Sequence, residues 1–241
     1  MRIAVVSDIH GNMTAFEAVL ADLRIVSPDL VVHGGDLLGT GARQTEVIDR
    51  LRHLGWPGVY GNTDEMLWAP ERLDMHLDSS GRQQLRSILR RQIDATLDAI
   101  GPARLEWLRA LPMRWTGHDL AVVHAAPGDV WRCPSPDAPE DQVAAVYSPL
   151  GMGRVVHGHL HRSYVRRLDA FTLANAGSVS LSYDGDPRAA YAVVSDETIA
   201  IRRVEYDIEC EVRALLEARD PDAPWIAAML RTGTYVPPPA E

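Results

Sequence analysis

Ile3-Ala4-Val5-Val6-Ser7-Asp8-Ile9-His10-Gly11-Asn12 lies at the start of the chain, and the reading of this stretch decides the fold. The apolar run 3–6 is too short for a helix and rich in β-branched side chains, so it predicts a buried strand that stops at Ser7 and Asp8. From Thr14 the spacing turns helical, with Phe16, Val19, Leu20 and Leu23 on one stripe that Ser27-Pro28 ends. A strand over 30–33, a helix over 45–54 and a strand over 58–60 complete a βαβαβ start. That order implies a largely parallel sheet with crossover helices, and it puts functional loops after the strand ends.

Residues 65–100 interrupt the rhythm. Leu85, Ile88, Leu89, Ile93, Leu97 and Ile100 recur at helical spacing opposite Arg86, Arg90, Asp94 and Asp98. A long amphipathic helix packed on the core is expected, with a cap over the substrate or an oligomer contact as alternatives. A shorter helix over 104–111 should follow. The second half reads as strands over 120–123, 154–156, 164–168, 171–173, 190–194 and 199–204, then helices over 209–218 and 225–230. The Pro-rich stretch 232–241 is expected to be a loose tail. With no repeat and no linker, one domain over 1–241 is expected, carrying a helical insertion at 65–100.

Composition narrows the chemistry. The 241 residues carry 24 basic and 33 acidic side chains, a formal net charge of -9, and every basic residue is Arg. The absence of Lys excludes Schiff-base and pyridoxal phosphate enzymes and any P-loop that needs its lysine. An acidic surface repels a phosphate backbone, so long nucleic acid is disfavoured as a partner. A small anionic substrate would need a local positive site. The two cysteines, Cys133 and Cys210, have no metal-ligand spacing and suit a reducing compartment. With no apolar stretch of ~18 residues and no leader pattern, a soluble, cytoplasmic protein without membrane partners is expected.

Several expected strand ends finish in metal-binding residue types. Asp8 and His10 follow the first strand, Gly35-Asp36 the second, and Gly61-Asn62 the third. His124 ends a later strand, and Gly158-His159-Leu160-His161 ends the next. In an α/β fold these ends converge on one sheet edge, so residues distant in sequence can meet. Each fragment alone is more often a turn or a cap; five of them in this order, each at a strand end, point to one site.

This series resembles the calcineurin-like metallophosphoesterases, whose pattern is Asp-x-His, Gly-Asp, Gly-Asn-His-Asp or Glu, an isolated His, then Gly-His-x-His. It is most similar to the bacterial and archaeal branch of small phosphodiesterases with Ser-Asp-Ile-His-Gly-Asn, here residues 7–12. That branch also carries Gly-Ser-Val and Asp-Gly-Asp-Pro-Arg, matched at 177–179 and 184–188. The likeness runs from residue 1 to about residue 205. It implies an α/β fold of four layers, an αββα sandwich of two mixed sheets, and a metal-dependent phosphoric ester hydrolase.

Carried over by motif, one divalent cation would be held by Asp8, His10, Asp36 and His161, and a second by Asp36, Asn62, His124 and His159, with Asp36 bridging. Manganese is the first expectation; iron, zinc and nickel suit the same donors. Two dications less two carboxylates and a hydroxide leave a local charge of about +1, which would attract a small phosphate ester, a nucleotide among the candidates. The resemblance implies in-line attack on phosphorus by a metal-bridging hydroxide, most readily on phosphodiesters. A phosphomonoesterase, a nucleotide pyrophosphohydrolase and a non-catalytic protein-binding scaffold are the alternatives.

Thr63 departs from the pattern, standing where the family has a His that contacts the phosphate and protonates the leaving group. Thr cannot supply that proton near pH 7, so a preference for good leaving groups is expected, or an acid from elsewhere. Asp64 is expected either to orient a water or ligand or to be an exposed turn residue. His33 and His157 are expected to be satisfied core histidines or supports for the ligands, and Asn175 a structural turn near the site. Trp131 and Arg132, in the Pro-rich loop after His124, would stack on a flat group and hold a second phosphate, although a Trp folded onto the inserted helices explains the same residue. Arg162 has the same standing as Arg132. A homo-oligomer stays open.

Overall fold

The computed structural model describes residues 1–77 and 82–239. Strand β1 (Ile3–Val6) leads into α1 (Met13–Val26), β2 (Leu30–His33) and α2 (Gln44–Leu54). Asn12 caps α1 by accepting from Ala15 N, and Ser27, in left-handed conformation, closes it ahead of Pro28. Two short helices, α3 (Asn62–Glu65) and α4 (Glu71–His76), precede the long α5 (Gln83–Arg109). Strands β3 (Arg114–Gly117) and β4 (Leu120–Val123) lead to α6 (Glu140–Tyr147), β5 (Arg154–His157), β6 (Tyr164–Arg167) and β7 (Thr172–Asn175). The chain continues through β8 (Ala189–Val194), β9 (Ile199–Val204), α7 (Ile208–Glu217) and α8 (Ala223–Thr232).

The strands form two mixed sheets, ordered β2-β1-β8-β9 and β3-β4-β5-β7-β6. Within them β1 runs parallel to β2, and β4, β5 and β7 run parallel to one another. Side-chain alternation builds the layers. Ile3, Val5, Val32, Leu120, Val122 and Val156 meet between the sheets. The opposite faces point to helices: Ala4 and Val6 pack with α1, α2 and α5, while Ala121, Val123 and Val155 pack with Val143 and Tyr147 of α6. The result is the expected four-layer αββα sandwich. Because β1, β2, β4, β5 and β7 share a direction within their sheets, their carboxyl ends deliver the motif loops to a common rim.

The strand expected over 58–60 does not form. Gly58 makes one parallel bridge to His33, and Tyr60 N then bonds Pro112 O at 3.2 Å instead of extending the ladder. The chain must turn there, because Gly61 lies against the Asp36 carboxylate so closely that any Cβ would collide with it. The two helices expected around residue 101 are the arms of α5, kinked where Gly101 (φ 67°, ψ 175°) precedes Pro102. Ile93, Ile100 and Leu108 of α5 join the main core, and Thr45 Oγ1 of α2 donates to Ala99 O. Residues 78–81 of the expected insertion, and the last two of the expected tail, lie outside the described residues. The tail is not loose through Val236: Trp225 Nε1 donates to Val236 O at 2.8 Å, and Gly185 N bonds Gly233 O at 2.9 Å. Among the described residues, no helix is long and apolar enough to cross a membrane.

Candidate metal centre

Four ligand atoms, one each from Asp8, His10, Asp36 and His161, lie within 4.8 Å of one another, and all four residues are buried. His161 Nε2 stands 3.1 Å from both Asp8 Oδ1 and His10 Nε2. His10 Nε2 is 3.7 Å from Asp36 Oδ2. A second nest adjoins this one across Asp36, whose Oδ1 lies 3.4 Å from His124 Nε2. There Asn62 Oδ1 sits 3.0 Å from His124 Nε2 and 2.8 Å from His159 Nδ1. All seven side chains anticipated from sequence as ligands converge, in the two groups of four that share Asp36.

The tautomers are set from outside. His124 Nδ1 bonds Gly34 O at 2.9 Å and His161 Nδ1 bonds Leu181 O, so each ring aims Nε2 at the centre, bare whenever the ring is neutral. Those lone pairs face oxygen lone pairs of Asp8, Asp36 and Asn62. Such an arrangement is repulsive unless positive charge, a proton on His124 or a cation, lies between, and the donor set of imidazole nitrogen, carboxylate and amide oxygen is one that borderline dications accept. The residues therefore fit divalent cations.

Among themselves these groups already compensate charge. Burial pushes His10 and His159 down to about 4. Burial also opposes a proton on His124, yet the adjoining Asp36 carboxylate outweighs it and lifts this ring to about 9. Burial alone would raise both carboxyls; instead the facing imidazoles, His161 for Asp8 and His124 for Asp36, hold them below the usual carboxylate range.

Asp64 is buried, so an exposed turn residue is ruled out. It accepts from Leu37 N at 3.0 Å, Leu38 N at 3.3 Å and Gly61 N at 2.9 Å, tying the loop after Asp36 to the loop before Asn62. Burial, reinforced by repulsion from Asp36, pushes its carboxyl up to about 7. Thr63 N donates to Asp36 Oδ1 at 2.9 Å, and its hydroxyl donates to Leu38 O at 2.9 Å. That proton is committed to the backbone.

Behind the rim, His157 bonds Tyr164 Oη at 2.7 Å and adjoins Asn175 Nδ2, and burial pushes this ring down to about 3. Asn175 bonds Gly158 O at 2.5 Å and receives Gly177 N at 2.9 Å, so it braces the loop bearing His159 and His161. Gly158 itself must lack a side chain, since a Cβ would strike the Asp8 carboxylate. His33 departs from expectation: it is buried with neither ring nitrogen bonded, packed near Trp107. Trp131 is already engaged, stacked on His76 of α4 at 4.5 Å and donating from Nε1 to Glu65 at 2.5 Å. This is the arrangement expected of a Trp folded onto the inserted helices. Arg132 and Arg162 are exposed and form no ion pair among the described residues.

Several supports were not anticipated. Tyr183 stacks on His161 at 4.7 Å, and its N–H bonds His161 O at 2.8 Å. Ser178 Oγ donates to Asp8 O at 2.9 Å. Glu211 of α7, fully buried, accepts from Ala42 N, Thr14 Oγ1 and Arg43, clasping the loop beside His10. The motifs Gly-Ser-Val at 177–179 and Asp-Gly-Asp-Pro-Arg at 184–188 were the available signal for the first two; nothing in the sequence singles out Glu211.

Residues 1–198 match the calcineurin-like phosphoesterase superfamily domain, and the chain belongs to that family of metal-dependent phosphoester hydrolases. An uncharacterized protein of Methanocaldococcus jannaschii is 29% identical over 254 residues, covering 96% of this chain and 98% of its own. A metallophosphoesterase from Sphaerobacter thermophilus superposes with a TM-score of 0.78 at 27% identity, over 97% of this chain and 99% of the other. A hypothetical protein from Pyrococcus horikoshii OT3 shares the fold with a TM-score of 0.82 at 18% identity, over 98% and 99% of the two chains.

Proposed function

We propose that this chain hydrolyses phosphodiesters at a pair of divalent cations, with manganese the first candidate. Asp8, His10, Asp36 and His161 would hold one, and Asp36, Asn62, His124 and His159 the other. The observation that carries this reading is the sharing of Asp36, whose Oδ2 faces His10 while its Oδ1 faces His124. Cations held by these residues would supply Lewis acidity, lowering the pKa of a water and offsetting charge that grows on phosphoryl oxygens. The chain's own part is to fix geometry. Gly34 O and Leu181 O aim the Nε2 atoms of two imidazoles at the centre, Thr63 N orients the Asp36 carboxylate, and Asp64 holds the two loops together.

Thr63 offers no proton to a departing oxygen, which restricts turnover to esters whose leaving group departs as an anion. The same restriction supports a second reading, hydrolysis of nucleotide anhydrides, because phosphate is itself a good leaving group. Retention of all seven ligand side chains favours catalysis over a scaffold role. The thiols of Cys133 and Cys210 are unpaired, in keeping with a cytoplasmic enzyme. The deciding experiment measures metal content and turnover of an aryl phosphodiester and a nucleotide anhydride for wild type and Asp36→Asn. Two equivalents of metal with turnover in the wild type alone uphold the reading; a fully loaded but inert wild type overturns it.

A further inference from the structure

Both supports of His161 come from one short segment, and that segment leans on the last helix and the residues after it. Leu181 O takes the bond from His161 Nδ1, while the Tyr183 ring stacks on the imidazole at 4.7 Å and its N–H bonds His161 O at 2.8 Å. Asp184 adds a bond from Ser163 N at 3.0 Å. His161 needs this restraint, since it stands at φ 55°, a backbone conformation that an L-residue keeps only where its surroundings enforce it.

Segment 181–185 is held in turn by residues 229–236. The Tyr235 and Tyr183 rings meet edge to face, with centroids 5.6 Å apart and planes at 82°, a geometry that aromatic pairs favour. Gly185 N bonds Gly233 O at 2.9 Å, and Gly233 lies so close to the main chain of Asp186 and Pro187 that a Cβ there would collide with it. Leu181 is buried in a cluster with Met229 and Trp225, and both Tyr183 and Val236 pack against that cluster. The Tyr183 hydroxyl meets Met229 Sδ at 3.9 Å, a weak acceptor, so packing rather than a strong hydrogen bond keeps the ring flat on His161. Trp225 Nε1 pins the far end by donating to Val236 O at 2.8 Å. Residues 229–236 all lie beyond the part of the chain that matches the family domain, 1–198.

We propose that residues 233–236 form a strap that sets the affinity of the first cation site, with Tyr235 a positioning residue that acts on His161 through Tyr183. The inference rests on the two-cation reading above and assigns control of one of its sites. With the strap pressed on Tyr183 the imidazole keeps one orientation, so Nε2 meets a cation without first losing rotational freedom. The second nest is oriented from elsewhere, His124 by Gly34 O and Asn62 by its place at the start of α3. Loosening the strap should therefore weaken the first site and spare the second.

Manganese titration, followed by the electron paramagnetic resonance of the free ion, tests this on wild type, Tyr235→Ala and Tyr235→Phe. Tyr235 is 46% exposed, so trimming it spares the core and the fold. Tyr235→Ala should weaken one of two sites about tenfold, and Tyr235→Phe, which keeps the ring contact, should match wild type. In a His124→Ala background, where the first nest is left, Tyr235→Ala should again cost about tenfold; in a His10→Ala background, where the second nest is left, it should cost nothing. The His161 ring resonances of metal-free protein should shift with Tyr235→Ala while those of His124 stay in place. Wild-type affinity at both sites in Tyr235→Ala, equal weakening in both backgrounds, or a loss shared by Tyr235→Phe overturns the strap while the two-cation reading stands. A wild type that takes up no manganese yet keeps the His161 response overturns the metal reading and upholds the strap's hold on the ring.

Discussion

The two ligand nests differ in how the backbone presents them. Every member of the first, Asp8 (φ 59°), His10 (φ 51°), Asp36 (φ 51°) and His161 (φ 55°), hangs from left-handed backbone. Of the three residues that complete the second, only His159 (φ 69°) does so; Asn62 opens α3 and His124 directly follows β4. A left-handed L-residue costs on the order of 1 kcal/mol, so four together persist only because the surrounding bonds over-determine them. Asp8 N to Gly35 O, His10 N to Asp36 O and Tyr183 N to His161 O are such bonds. The first nest is thus fixed by the fold itself, whereas the second is gathered from the ends of regular elements.

Asp36 belongs to both nests, so its loss should erase the distinction. Asp36→Asn is expected to lower phosphodiester turnover by on the order of 10³-fold and to reduce bound metal below one equivalent by elemental analysis. If the variant keeps both metals and full rate, the nests are not coupled as described. Thr63→His restores an acid next to the shared carboxylate; turnover of poor leaving groups should rise about 100-fold, with little change for 4-nitrophenyl esters. An unchanged or lower rate on poor leaving groups would refute the role given to Thr63.

Asn175→Ala removes the brace on Gly158 O. It should weaken metal affinity by roughly tenfold, more at the second nest than at the first, because His161 keeps its bonds to Leu181 and Tyr183 while the carbonyl of Gly158, one residue before His159, loses its side-chain donor. Competition with a chelator, read by stepwise metal release, would sharpen the comparison; equal loss from both nests would break it. The smallest effect is expected far from either nest, where the Arg188 guanidinium draws the Asp186 carboxyl down to about 2. A depressed carboxyl stabilises above its unfolded value of ~3.9, and that contribution disappears as pH falls through 2. Melting curves of wild type and Asp186→Asn should coincide near pH 2 and separate above about pH 4 by at most ~3 °C, since the pair is partly solvated.

The layers and the convergence of the candidate ligands were legible in the sequence, for a physical reason. Buried strands such as Ile3–Val6 are short apolar runs, and ligand chemistry restricts residue type at Asp8, His10, Asp36 and His161. Elements held by context were illegible. Arg114–Gly117 alternates between exposed and half-buried positions along its one neighbour, β4, and Glu140–Tyr147 has too short a stripe to stand out. The partners that select each tautomer were invisible for a deeper reason. Gly34 O and Leu181 O are main-chain atoms, and any residue supplies a carbonyl. Trp131 shows why a conspicuous loop residue is ambiguous in sequence: the same Trp suits a ligand platform or a pack onto the inserted helices, and its stack on His76 is visible only in the fold.

The Glu211 clasp has a consequence for how this protein is made. The loop next to His10 acquires its anchor only once residue 211 has left the ribosome, and β1 meets its partner β8 scarcely sooner. A nascent chain that already carries every candidate ligand, through His161, still lacks β8 and Glu211, so the bracing of this rim is translated after the residues that form it.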